Sequence, residues 1–282
     1  MTDKHQAKQD FKQALSAFAH GLVQYIATPD KQWVVKGFVD VFRNVYSLSG
    51  DTKIVSKILE IHLFPKILDF AEEQGFIVVL ADHQNYYPDI SFVSKHDASI
   101  KFAVDFKTTY RLPDKPHFCN GFTLGSHGEY FVNRTSRKNI QFPYSEYCGH
   151  FCLGSIYSRL NTSETSMYRI EDIEAITSVI ADFQCFATEK WEIASDSSGS
   201  GNTANIGSIK VIKDILHGNG VFKPFGEEWF DDYWCNYGKI VVPNEKGELQ
   251  KIRSLETFLQ YRGYEQKATP RKAQTNKPGG GT

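Results

Sequence analysis

The chain has 282 residues, of which 41% are hydrophobic and 14% aromatic, so disordered and fibrous proteins are excluded. Its longest uninterrupted apolar stretch, residues 76–81, is far too short to cross a membrane, and the polar N-terminus predicts no secretory signal. The formal net charge of −1 neither favours nor excludes a nucleic-acid partner, because acidic residues elsewhere can offset a basic binding face.

The five cysteines indicate a compartment. Their number is odd and they form no CxxC pair. Cys148 and Cys152 lie four residues apart in an apolar pattern of helical spacing, which predicts buried thiols. A reducing, intracellular environment follows from this use of cysteine.

Helical patterns dominate the first quarter of the chain. Residues 9–27 have apolar side chains at helical spacing and predict an amphipathic helix, and a mixed segment follows over residues 33–46. A second helix is predicted over residues 54–75, with an interruption at Pro65 and an end at Gly75.

Strand patterns follow, and together with the helices they predict an α/β or α+β fold. The predicted strands cover residues 76–80, 90–93, 101–107, 167–170 and 189–194, and a further helix covers residues 144–160. Residues 195–208 are rich in Gly, Ser, Asn and Thr and predict a surface loop, whereas residues 266–282 have the composition of a disordered basic tail.

The predicted strand over residues 101–107 brings two charged side chains onto one face. Side chains alternate along a strand, so Phe102, Val104 and Phe106 point one way, whereas Asp105 and Lys107 point the other. The apolar row is suited to the core, which leaves a carboxylate and an ammonium group side by side.

A second carboxylate, Asp89, opens the preceding strand, and a hairpin would bring it close to Asp105. Two carboxylates can hold Mg²⁺ through oxygen ligands, and a metal-bound water is a nucleophile for phosphodiester hydrolysis. Lys107 could stabilise the charge that develops on the phosphate, and Glu60 is a candidate third carboxylate. The pattern equally fits an ordinary hairpin with a solvated Asp–Lys pair, and Glu60 equally fits a solvated helix face.

The glycine-rich stretch 198–207 formally matches a dinucleotide fingerprint through Gly199, Gly201 and Ala204. We exclude that interpretation because Asn205 and Gly207 would interrupt the helix that the fingerprint must open. A loop that reads DNA bases is the functional alternative, since glycines permit close backbone approach and asparagine pairs well with adenine. The interpretation as a plain surface loop without a DNA-binding role also remains.

Several stretches of the chain together resemble the type II restriction endonucleases of the PD-(D/E)xK superfamily. They occur in the same order over roughly residues 49–237. The glycine-rich stretch is the most specific of them, because general folding does not require that string. The matching stretches are residues 50–60, 84–89, 104–110, 122–125, 138–143 and 199–209, with residues 261–263 as a short extension.

The resemblance implies a restriction-endonuclease-like fold, in which helices flank a mixed β-sheet core. It implies a single domain over residues 1–265, with an N-terminal dimerisation part, a catalytic core over residues 50–160 and a DNA-reading loop over residues 195–209.

The same resemblance implies roles for individual residues. Asp89 and Asp105 are expected to ligate Mg²⁺, with Lys107 as the catalytic lysine and Glu60 as an auxiliary carboxylate. The expected DNA contacts are Gly199, Ser200, Gly201, Asn202 and Thr203 to bases, with Asn205 supporting the loop, Gln84 and Asn85 on the minor-groove side, and Lys53, Lys138 and Arg159 at phosphates.

The implied activity is Mg²⁺-dependent cleavage of double-stranded DNA at a short palindrome, GATATC with blunt ends and 5′-phosphates. A homodimer, a DNA methyltransferase of the same specificity and a bacterial cytoplasmic location are implied as well. Phe106 and Ala204 depart from the family pattern, where a smaller aliphatic residue and a threonine are expected. A structure-specific repair nuclease and a catalytically silent DNA-binding protein remain as alternatives.

Overall fold

In a computed structural model, which describes residues 3–83, 85–160, 165–199, 204–244 and 246–264, two long helices accompany a mixed β-sheet. The first helix, α1 (Lys4–Ile26), begins at Asp3, whose side chain accepts a hydrogen bond from the backbone N–H of His5. Its apolar stripe packs into the core, as the helical spacing predicted.

The second helix, α2 (Thr52–Glu73), begins at Asp51, whose carboxylate accepts hydrogen bonds from two backbone N–H groups of the first turn. Gly75 follows its end with a φ of +74°, which confirms the predicted stop. The predicted interruption at Pro65 is wrong, because the helix continues through it. Proline leaves the carbonyl of Ile61 without its helical partner, and Ile61 is 64% exposed, so water can reach this face.

The remaining elements alternate between strands and short helices. The strands are β1 (Gly37–Val39), β2 (Asn44–Ser47), β3 (Phe76–Leu80), β4 (Ile90–Ser94), β5 (Lys101–Leu112), β6 (Lys115–Cys119), β7 (Thr123–Ser126), β8 (Gly149–Arg159), β9 (Met167–Arg169), β10 (Ile180–Glu189), β11 (Ala194–Ser198), β12 (Asn205–Ser208), β13 (Val241–Pro243) and β14 (Leu249–Lys251). The short helices are α3 (Glu129–Val132), α4 (Ile212–His217), α5 (Glu227–Asn236) and α6 (Leu255–Tyr261).

The central sheet has the strand order β10-β8-β5-β4-β3, with β6 paired to β5. Strands β3, β4 and β5 pair antiparallel, whereas β5 and β8 pair parallel. Helices α1 and α2 cover one face, where Phe11 packs against Phe92 and Phe102. The predicted α+β class, with helices flanking a mixed sheet, is therefore confirmed.

The helix predicted over residues 144–160 is wrong, because most of this stretch is strand β8. β8 lies between two strands and is buried from Gly149 to Tyr157, so apolar residues face both sides and the alternation that marks a strand is lost. Gly154 is required by this packing, because a Cβ atom there would lie 2.2 Å from the ring of Phe186.

The strand predicted over residues 189–194 is also wrong. Strand β10 ends at Glu189, a 3-10 turn occupies Lys190–Ile193, and β11 begins at Ala194. The turn is closed by Glu189 and Glu192, which cap each other's backbone N–H groups in a reciprocal capping box.

Residues 195–208, predicted as a surface loop, contain two strands instead. β11 and β12 pair with each other, and β12 also pairs with β7 in a three-stranded sheet. A separate small sheet has the order β1-β2-β9, and β9 confirms the strand predicted near residue 167.

The chain divides into two compact units, Met1–Cys235 and Asn236–Thr282. The second contains the β13–β14 hairpin and α6. The predicted tail over residues 266–282 lies outside the described residues. Among the residues described, no helix is long and apolar enough to cross a membrane.

Candidate active site

The antiparallel pairing of β4 and β5 brings Asp89 beside Asp105, as the predicted hairpin requires. The backbone N–H of Asp89 donates to Oδ1 of Asp105 at 3.2 Å, and the N–H of Phe106 donates to Oδ2 of Asp89 at 2.8 Å. Lys107 Nζ lies 3.0 Å from Oδ2 of Asp105. Backbone geometry therefore orients both carboxylates, and Lys107 contacts one of them.

Burial separates this cluster from an ordinary solvated pair. Asp105 is only 5% exposed, and the side chain of Lys107 is 17% exposed. Phe102, Val104 and Phe106 on the opposite face all belong to the hydrophobic core, which confirms the predicted alternation. An Asp–Lys pair at the surface is solvated and contributes little to stability, whereas this pair is largely buried. The alternative of a solvated hairpin therefore does not describe these residues.

The two neighbouring carboxylates repel each other, and this repulsion affects the proton affinity of Asp89. Loss of hydration, followed by repulsion from Asp105, raises the pKa of Asp89 to about 6, although the residue lies at the exposed mouth of the cleft. Burial alone would lower the pKa of Lys107, but the charges of Asp105 and Asp89 outweigh it and raise that pKa. A cation between the carboxylates would relieve their repulsion.

A cleft of about 290 Å³ opens in front of the three residues. Tyr87 and Tyr130 line it as stacked rings, with centroids 5.3 Å apart. Asn85 and Asn205 also line it, which places the turn before Asp89 and the end of the glycine-rich stretch at the same opening.

Behind the wall of the cleft lies Lys190, which the sequence did not indicate as a site residue. It is 2% exposed, and its ammonium lies 4.9 Å from the ring centroid of Tyr87, 5.3 Å from that of Phe131 and 5.7 Å from that of Tyr144. Burial lowers the pKa of Lys190 to about 8, against an opposing effect of Asp105. The one available signal was a lysine beside a tryptophan at the end of an apolar strand, which is too common to be informative.

Glu60 lies on α2 and does not line the cleft of the two aspartates. Its carboxylate pairs with Lys57 at 2.8 Å, and it shares with Asp89 a neighbouring cavity of about 220 Å³ that is otherwise apolar. Within the described ranges, no group of three or more His, Cys, Asp or Glu side chains is arranged to hold a metal ion. The two carboxylates that the strand pairing brings together are those of Asp89 and Asp105.

This donor set suits a small hard cation. Both ligands are carboxylate oxygens, and both are oriented by backbone hydrogen bonds. Mg²⁺ characteristically takes one or two protein carboxylates and keeps several waters, so two aspartates that line one cleft fit it.

The base of the glycine-rich stretch is described, but its tip is not. The N–H of Gly199 donates to the carbonyl of Asn205 at 2.8 Å, and a Cβ atom on Gly199 would lie 2.6 Å from Thr123. Asn205 pairs with Ser126 of β7. Ser200, Gly201, Asn202 and Thr203, predicted to contact bases, lie outside the described residues, as does Gln84.

Three basic residues predicted to contact phosphates lie at exposed positions. Lys53 is in the first turn of α2, Lys138 is in the segment before β8, and Arg159 ends β8 with its guanidinium 3.6 Å from the ring centroid of Tyr110. In the part of the chain that the structure describes, none of the three forms an ion pair, so their charge is available to an external anion.

Comparison with known proteins gives two findings. The family model of the restriction endonuclease EcoRV matches residues 29–263. The type II restriction enzyme EcoRV from Escherichia coli is 36% identical over 219 residues, which cover 77% of this chain and 87% of that protein. Restriction endonucleases of this kind generally use a divalent metal.

Proposed function

Because the chain belongs to the restriction endonuclease EcoRV family, and is thus a type II restriction endonuclease that cleaves DNA, we propose that Asp89, Asp105 and Lys107 form its active site with Mg²⁺ as the cofactor. The observation that carries the proposal is the buried contact of Lys107 with Asp105, 3.0 Å long, beside a second carboxylate at the mouth of one cleft.

We assign metal binding to Asp89 and Asp105, because both are hard carboxylate donors that line the cleft and are oriented by backbone hydrogen bonds. When bound there, Mg²⁺ would supply Lewis acidity for the scissile phosphate and lower the pKa of a water molecule. Lys107 is held by Asp105 so that its ammonium faces the same phosphate, where it stabilises the negative charge that develops during attack. The proposed products are a 5′-phosphate and a 3′-hydroxyl.

We assign DNA contact to residues at the rim of the cleft. Asn85 lines the cleft next to Asp89, which supports the minor-groove contact proposed for Gln84 and Asn85. Gly199, Ser200, Gly201, Asn202 and Thr203 are proposed to read bases, with Asn205 fixing the loop to β7. Lys53, Lys138 and Arg159 are proposed to contact phosphates, and Glu60 to act as an auxiliary carboxylate.

The proposed target is GATATC, cut in the middle to leave blunt ends. The dense run of Gly, Asn and Thr over residues 199–207 supports sequence readout, because backbone and amide groups can approach base edges there. A central TA step would also bend easily, since pyrimidine–purine steps are readily kinked.

A homodimer is proposed because the two strands of a palindrome have the same sequence and are related by a twofold axis. Two identical subunits can therefore each cut one strand. An exposed apolar face supports this assembly. Phe38, Val41 and Phe42 on and beside β1, with Met167 on β9, are between 57% and 90% exposed, which is unusual for side chains of this size clustered on one small sheet.

Sedimentation of a Phe42→Ser variant tests the dimer. We expect the variant to dissociate at concentrations where the wild-type chain is dimeric, whereas Ile77→Ser, at an exposed apolar position on β3, should leave the dimer intact. Equal dissociation of both variants, or of neither, would show that this face is not the interface.

Digestion of a sequenced plasmid tests the activity. We expect Mg²⁺-dependent fragments whose lengths match GATATC positions, with no cleavage by Asp105→Ala. Fragments at other fixed positions would refute the specificity but keep the restriction activity, whereas cuts that follow DNA distortions would favour a structure-specific repair nuclease. Binding without cleavage would favour a silent DNA-binding protein.

The biological setting proposed for the chain is a bacterial cytoplasm with a DNA methyltransferase of the same specificity. All five cysteines are free thiols, which supports a reducing compartment.

A further inference from the structure

Lys190 is a buried cation without a partner of opposite charge in contact. Its ammonium has no hydrogen-bond acceptor among the residues that the structure describes, and no ion pair involves it there. Burial of an unpaired charge is costly, and an apolar side chain of the same length would fill this space without that cost.

Aromatic faces replace the missing acceptor. The rings of Tyr87, Phe131 and Tyr144 all lie within 5.7 Å of the ammonium, close enough for cation–π attraction. These contacts hold the charge in place but leave it largely unneutralised, since a ring quadrupole carries no net charge. Lys190 therefore exerts a positive electrostatic potential on groups that lie beyond the rings.

The catalytic cleft lies beyond the rings. Tyr87, Phe131 and Tyr144 form an aromatic cage around the Lys190 ammonium, and Tyr87 also lines the cleft. Gly125 also lines the cleft, and a Cβ atom built on it would lie only 3.4 Å from the ammonium of Lys190. One backbone layer without a side chain thus separates the buried charge from the cleft.

We infer that Lys190 is a positioning residue of the cleavage site: its positive charge, acting through the Gly125 wall, offsets the negative charge that Asp89, Asp105 and the DNA phosphate bring into one cleft. Lys107 contacts Asp105 inside the cleft, whereas Lys190 acts from behind Gly125 and Tyr87. The inference rests on the proposed function, because it concerns the same reaction.

The charge should matter most when the phosphate gains negative charge. Interactions that strengthen only in the transition state raise kcat and leave KM unchanged. Outer residues that tune a metal site typically change activity about 10- to 100-fold, so we expect a kcat loss in that range for Lys190→Met and for Lys190→Gln.

The test measures kcat, KM and thermal unfolding for both variants. Lys101→Met is the matched control, because the Lys101 ammonium also lies over an aromatic ring, 5.3 Å from Phe142, but it pairs with Glu146 at the far end of β5. We expect the Lys190 variants to lose kcat with KM within about threefold and with equal or higher unfolding temperature. The control should keep its kcat.

Several results would overturn the inference. They are a kcat equal to that of the wild type, a KM increase that accounts for the whole loss, an equal loss in the control, and failure of both Lys190 variants to fold, which would assign the cage a structural role. A wild-type chain without cleavage would instead refute the proposed function itself, so the two failures are distinguishable.

Discussion

Glu189 and Lys190 are neighbours in the chain, but their side chains enter two buried charge clusters of opposite character. Glu189 and Glu192 are each 3% exposed and are surrounded by ammonium groups. Lys8 pairs with Glu189, Lys12 lies 2.9 Å from Glu189 and 2.8 Å from Glu192, and Lys223 lies 2.5 Å from Glu192. Every charge in this cluster has a partner in contact.

The charges are only partly paired in the second cluster, which is the cleft lined by Asp89, Asp105 and Lys107 beside Lys190. Burial alone would raise the pKa of Glu189, but Lys8 and Lys12 lower it, whereas the pKa of Asp89 is raised to about 6. The paired cluster joins α1 to the end of β10, whereas in the cleft Lys107 contacts Asp105 and the carboxylate of Asp89 keeps a raised pKa. This contrast in charge pairing distinguishes a structural cluster from the cleft that we propose as the active site.

The largest effect is expected for Asp105→Ala. It removes an oxygen donor and the partner of Lys107, so cleavage should fall by at least about a thousandfold while DNA binding is largely retained. Cleavage by this variant in a plasmid assay would remove Asp105 from its assigned role.

In the paired cluster, Glu189→Gln should lower the free energy of unfolding by about 3 kcal/mol at pH 7. The folded-state pKa of Glu189 is lowered from 4.5, so its contribution is present above that pH and is lost as the pH falls through the folded-state value. Denaturant unfolding at pH 7 and pH 4 should therefore show a smaller deficit at pH 4. Glu171→Gln, in an exposed pair with Arg43, is the control and should change stability little.

Lys107→Met should reduce kcat about 100-fold, the effect expected for loss of one group that stabilises developing charge. Thermal unfolding should be measured in parallel, because the variant leaves the buried carboxylate of Asp105 without its partner and should lower the unfolding temperature. Unchanged kcat would assign Lys107 to Asp105 orientation alone, and single-turnover kinetics would measure it.

The smallest effect is expected for Asp89→Asn without metal. Because the folded-state pKa is raised, ionised Asp89 destabilises the fold at high pH and not below its unfolded-state pKa. The variant should therefore unfold at a higher temperature than the wild type at pH 8, by an amount that disappears between pH 6 and pH 4. Added Mg²⁺ should stabilise only the wild type, and an equal response of both chains would contradict metal binding by Asp89.

Local patterns allowed the site strands to be predicted, because their signal is a period of two. Phe102, Val104 and Phe106 alternate with Asp105 and Lys107, so strand, core face and charged face follow from one stretch of sequence. Strand β8 could not be predicted in this way, since burial on both faces removes the alternation.

The cage around Lys190 could not be predicted from the sequence. Its members, Tyr87, Phe131, Tyr144 and Lys190, lie on four separate segments, and only the tertiary fold brings their side chains together. The strand predicted over residues 189–194, which includes Lys190, was also wrong, because a capping box closes a turn at the end of β10.

The parallel pairing of β5 with β8 has a consequence for biosynthesis. Asp105 pairs in register with Cys152, so its sheet neighbour is synthesised 47 residues later (152 − 105), and Asn205 at the cleft rim comes later still. Contacts between distant segments form slowly, because the chain entropy of the intervening loop must be lost first. The segments that carry both aspartates are therefore synthesised before β8 and Asn205, and the cleft is complete only when these later segments have joined them.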